Sequence, residues 1–232
     1  MQPRRTALYL FRHGEVDERY RPCTYGHLDI SLSERGIRQS EAIQDVLARI
    51  PLEAVYSSDL ERAAYAARLV CESLGVAPIN LPDFREIGMG DWEGRIIAEL
   101  SREYEEKFAS FYAEPLEFCF PGGESCREFI ARVDGGLSRI LSSHEGNMAL
   151  IAHSGVCRAI LGAVLEIPPT NWLRITQDFG CMNIIEWYDG QPVVKLMNYP
   201  PSGAPHNAND PVTDVSKADL ASYSRFAPSQ KV

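Results

Sequence analysis

The chain has 232 residues, 45% of them hydrophobic, which is enough to bury the core of one large domain. A formal net charge of -9 provides no global field for nucleic acid or an anionic membrane, so any anionic ligand must be drawn by a local cluster of cations. No apolar run approaches the ~20 residues that span a bilayer, the opening MQPRRTALYLF is too short in apolar residues for a secretory signal, and the six cysteines form no CxxC pair, as expected of reduced thiols in a cytoplasm.

In chain order, residues 6 to 12 form an apolar strand that ends in Arg12-His13-Gly14. A helix follows from Ser33, a suitable N-cap, with Ile37, Ile43, Val46, Leu47 and Ile50 at three- and four-residue spacing. LEAVYSS (52 to 58) predicts a strand, and DLERAAYAARLVCESLG a helix capped by Ser58 or Asp59 and ended by Gly75. A short strand at 78 to 81 leads into the loop DFREIGMGDWEG. Residues 96 to 113 read as a lid helix with Ile97, Leu100, Tyr104, Phe108 and Phe111 on one side. Ser125 and Glu128 then form a capping box that opens a helix to about 142. NMALIAH (147 to 153) is a buried strand, followed by the helix GVCRAILGAVLEI and by two strands joined at the turn Asp189-Gly190.

From Pro200 onward apolar periodicity is lost and five residues are proline, so 200 to 232 are expected to be an extended or disordered tail. The alternation of strands and helices predicts an α/β three-layer sandwich, with a mostly parallel central sheet, helices on both faces and a small lid over about 94 to 121. The domain occupies 1 to 199.

Ligands of parallel α/β sheets bind beyond the carboxyl ends of the strands. The first strand ends in Arg12-His13-Gly14, the second in Ser57-Ser58-Asp59 with Arg62 one turn on, the third leads to Glu86, and the fourth gives His153-Ser154-Gly155. Each of these has an ordinary structural explanation when taken singly. Together, on one edge of a sheet, they suit a phosphate ester. Arginine matches phosphate oxygens in bidentate fashion, and an imidazole kept neutral by neighbouring cations can attack phosphorus. A thiolate phosphatase loop, an Asp-x-Asp dyad and a GxxxxGK[ST] phosphate loop are set aside. Trp92, Phe108, Phe111, Tyr112 and Phe118 are placed to form a lid that stacks on a ring.

FRHGE, GHLDISLSERGIRQSEAI, SSDLERAAYAARL, REIGMGDWEG, FPGGES and LIAHSGVCRAIL, in this order, resemble the histidine phosphatase (phosphoglycerate mutase-like) family over most of residues 6 to 198. The resemblance implies His13 as a nucleophile that becomes phosphohistidine. Arg12, Arg62 and His153 would bind the phosphoryl oxygens, and Glu86 would act as proton donor and then acceptor, with no metal or organic cofactor. Two positions depart from the family pattern, Arg19 where many members have asparagine and Tyr25 where many have serine before Gly26. Arg19, Tyr25, Gly26 and Ser154 are therefore candidate substrate contacts. REYEEKF in the lid is more acidic than basic, which favours hydrolysis over mutase chemistry, and the GDWEG, PGGES and QDFGCMNIIEW segments are similar to those of α-ribazole-phosphate phosphatases of cobalamin synthesis. The expected partner is a small phosphorylated metabolite, without nucleic acid or membrane, and a homodimer is open.

Overall fold

The structure is a computed structural model that describes residues 5 to 200, so the expected tail beyond Pro200 lies outside the described residues. Its centre is a six-stranded sheet made of β1 (Arg5–Arg12), β2 (Ala54–Ser57), β3 (Ile79–Asn80), β4 (Asn147–Ala152), β5 (Met182–Tyr188) and β6 (Gln191–Tyr199), in the order β3-β2-β4-β1-β5-β6. The four strands from β3 to β1 run parallel, β5 lies antiparallel to β1, and β6 antiparallel to β5. Asp189 and Gly190 join the last two with φ of 49° and 84°, the left-handed pair that a two-residue hairpin turn needs.

Both faces of the sheet are covered. Leu8, Leu10, Tyr56, Met148 and Leu150 pack with α5 (Cys126–Ser143) and α6 (Ser154–Val164). Phe11, Val55, Ala149 and Ile151 pack on the other side with α1 (Glu34–Leu47) and α2 (Glu61–Leu74). Strands buried on two faces read as continuous apolar runs. Ser33 caps α1 by accepting from the Gly36 N–H at 3.1 Å, and the Ser125–Glu128 capping box is closed in both directions. Gly75 ends α2 at φ 70°.

Three local expectations change. The N-cap of α2 is Leu60 with no side-chain bond, because Asp59 instead takes both its oxygens to Arg85, at 2.7 and 2.6 Å. Ile37 lies on the exposed side of α1. The lid helix is two helices, α3 (Ile97–Glu103) and α4 (Glu105–Ala113), broken at Tyr104, whose backbone leaves helical geometry at φ -122°, ψ 41°. No Gly or Pro marks that break. Tyr104 and Phe108 both dock on Trp92, with ring centroids 5.4 and 5.0 Å away, so tertiary packing overrides helical propensity there. Among the described residues no helix is long and apolar enough to cross a membrane.

Candidate active site

Strand pairing builds the site. Arg12 of β1 sits opposite Ala152 of β4, so Arg12-His13 and Ala152-His153 leave the sheet side by side, with the His13 N–H bonded to the Ala152 carbonyl at 2.9 Å. The two imidazole centroids are 5.1 Å apart. His13 Nδ1 lies 2.7 Å from the Gly14 carbonyl oxygen, which can only accept, so the proton is on Nδ1 and the lone pair is on Nε2. Both rings are fully desolvated beside Arg62 and Arg12, and burial followed by these cations holds both well below the ordinary histidine value. Each is thus a neutral base.

The arginines are fixed by carbonyls. Arg12 donates to Gln177 O at 2.5 Å and lies 3.8 Å over the Phe179 ring. Arg62, wholly buried, donates to Leu28 O at 2.8 Å and to Gly26 O at 2.7 Å, while its Nε and both ring nitrogens of His153 find no partner among the described residues. Buried donors without a protein partner call for an acceptor from a ligand. Glu86 closes the ring, with Oε2 accepting from the Gly155 N–H at 2.9 Å and Oε1 from its own following N–H at 3.0 Å.

Glycines permit these approaches. A Cβ on Gly14 would lie 2.3 Å from Gly36 O, so it is helix α1 that must come close to the backbone here. A Cβ on Gly155 would lie 2.1 Å from Glu86 Oε1.

A cavity of about 230 Å³ opens from this floor, lined by Arg12, His13, Arg62, Glu86, His153 and Ser154 at one end. Trp92, Phe108, Phe111, Tyr112 and Phe120 line the lid end, with Trp172 also in its wall. Phe118 packs behind them instead. Of the other candidates, Tyr25 lines the cavity with its ring 5.4 Å from the Arg62 guanidinium, Gly26 contributes its carbonyl to Arg62, and Ser154 Oγ accepts from Arg158 at 3.3 Å. Arg19 is not brought in. Its guanidinium bonds Asp17 at 3.0 and 3.1 Å, and its side chain is 77% exposed. Arg21 lines the mouth in its place, donating to Glu15 at 2.7 Å.

Sequence reasoning also missed Arg132, which reaches Asp83 O and Arg85 O at 2.8 Å and Glu86 O at 2.9 Å and so fixes the backbone that carries Glu86. Glu124, in the PGGES loop, holds it through Nε at 2.6 Å, and that capping-box segment was the available signal. Cys126 and Arg132 do have the Cys-x5-Arg spacing of a thiolate phosphatase loop. They stand within one helix, however, Arg132 is committed as described, and burial pushes the Cys126 thiol up to about 12, so no thiolate nucleophile forms. All six cysteines are free.

A parallel sheet edge that brings two neutral histidines together with two buried arginines, under an aromatic lid, fits the class of histidine phosphatases. The chain belongs to the histidine phosphatase superfamily (branch 1), whose family model matches residues 8–200. It is 30% identical over 192 residues to the adenosylcobalamin/alpha-ribazole phosphatase of Salmonella typhimurium, covering 82% of this chain and 95% of that one. It is 29% identical over 192 residues to phosphoserine phosphatase 1 of Hydrogenobacter thermophilus, covering 82% and 91%. Among solved structures, the alpha-ribazole phosphatase of Shigella flexneri superposes with a TM-score of 0.76 at 26% identity, covering 87% of this chain and all of that one.

Proposed function

We propose that His13 is the nucleophile of a phosphomonoesterase whose substrate is α-ribazole 5′-phosphate. The observation that carries the catalytic reading is the pair of neutral imidazoles 5.1 Å apart beside two buried arginines, with unpartnered donors at Arg62 and His153. Nε2 of His13 attacks phosphorus and forms the N–P bond. The bond to the leaving oxygen breaks, and a protonated Glu86 gives that oxygen its proton. Arg12, Arg62 and His153 hold the phosphoryl oxygens as charge builds; losing one such donor typically costs ~10²- to 10³-fold. Glu86, now a carboxylate, takes a proton from the water that attacks phosphohistidine, which releases phosphate and restores His13.

The substrate reading rests on the chemistry of the far end of the cavity and on the names of the relatives. Aromatic side chains line the lid, while Arg21 is balanced by Glu15 at 2.7 Å and Glu18 at 3.4 Å, and Arg158 is spent on Ile175 O and Ser154. Such a wall favours a flat uncharged leaving group over one carrying a carboxylate. The test is a steady-state screen in EDTA. The expected result is a kcat/KM for α-ribazole 5′-phosphate at least about tenfold above that for phosphoserine. A preference for phosphoserine would overturn the substrate assignment, and isomerisation of 3-phosphoglycerate dependent on 2,3-bisphosphoglycerate would favour a mutase.

A further inference from the structure

Glu93 lies outside the cavity wall, yet its carboxylate gathers four backbone N–H donors from two loops. Oε1 accepts from His27 at 2.7 Å and Met89 at 3.0 Å, and Oε2 from Leu28 at 2.8 Å and Gly26 at 3.0 Å. The first loop carries the two carbonyls that grip Arg62, Gly26 O and Leu28 O. The second is the loop of Glu86, three residues before Met89. Gly26 leaves no room for a side chain between these loops, since a Cβ there would meet Ile87 O at 1.9 Å and Glu93 Oε1 at 2.7 Å.

We infer that Glu93 is a positioning residue which ties the loop that holds Arg62 to the loop that holds Glu86, and so sets the phosphoryl clamp against the proton donor. The inference rests on the assignment of Arg62 and Glu86 above. The His27 N–H that Glu93 accepts belongs to the same peptide unit as the Gly26 carbonyl that faces the guanidinium, so the carboxylate polarises that unit and strengthens both of its bonds. Its charge also acts directly. Burial works against the Arg62 cation, and Tyr25, Glu86, Asp29 and Glu93 are the groups that oppose this loss.

The experiment is a double-mutant cycle on Glu93→Gln and Arg62→Ala, read as p-nitrophenyl phosphate turnover and inhibition by inorganic phosphate. An amide at 93 turns one acceptor into a donor that faces two N–H groups. Glu93→Gln alone is expected to lower kcat/KM about 10- to 100-fold and to weaken phosphate inhibition, but to have less than about a twofold further effect once Arg62 is gone. Equal effects in both backgrounds, or no effect on phosphate inhibition, would overturn the inference. Arg62→Ala with full activity would overturn the underlying assignment instead. Should Glu93→Gln not fold, the unmutated enzyme gives the answer, because saturating inorganic phosphate must slow hydrogen exchange at Gly26, His27, Leu28 and Met89 together. Unchanged exchange there counts against the coupling.

Discussion

The nucleophilic role proposed for His13 rests on its surroundings. Burial and two guanidinium groups keep the ring neutral, and the Gly14 carbonyl fixes the proton on Nδ1, which leaves the lone pair on Nε2 for the proposed attack on phosphorus. His13→Ala is therefore expected to lose at least about 10³-fold in p-nitrophenyl phosphate turnover in EDTA, and retained activity would remove histidine from the chemistry. The same depression fixes a sign in pH. Because the folded values of His13 and His153 lie below the ordinary 6.5, the unfolded chain binds more protons, so their contribution to stability is complete above 6.5 and is lost as pH falls from there through the folded values. Melting temperature should drop below pH 6.5, and replacing both histidines with glutamine should flatten that drop. Arg19→Ala, at an exposed pair with Asp17, should change kcat/KM by less than about twofold.

Elements place these residues through close backbone approach. The turn after β1 can touch α1 only because positions 14 and 36 are both glycine, and Gly14→Ala should lower the melting temperature by about 2 to 10 °C by forcing the turn and helix apart. Gly155, in the first turn of α6, does a different job, since its N–H holds Glu86 and an added Cβ would strike that carboxylate. Gly155→Ala should cut kcat about 10- to 100-fold with little change in melting temperature, a split that separates displacement of the proton donor from damage to the fold. A parallel loss of stability and activity would refute that role.

At the scale of the molecule, the cavity is assembled from parts far apart in sequence: the ends of β1 and β4, the first turn of α2, the loop around Glu86, the lid, and the 3-10 turn Pro169–Arg174 that supplies Trp172. The strand and helix order, the capping box, the Asp189-Gly190 turn and the edge that carries Arg12, His13, Arg62, Glu86 and His153 were legible in the sequence. Periodicity, caps and turn residues are local signals, and a parallel sheet sends its strand ends to one side. What the tertiary structure decided was contact between distant segments. It exchanged Arg19 for Arg21 at the cavity mouth, because Asp17 captures the one while the chain turns the other inward. It broke the lid at Tyr104 to dock two rings on Trp92, and it set Glu93 and Arg132 behind the two functional arms. No local pattern encodes these, for each depends on which backbone N–H or carbonyl a long side chain meets once the sheet and its loops have come together.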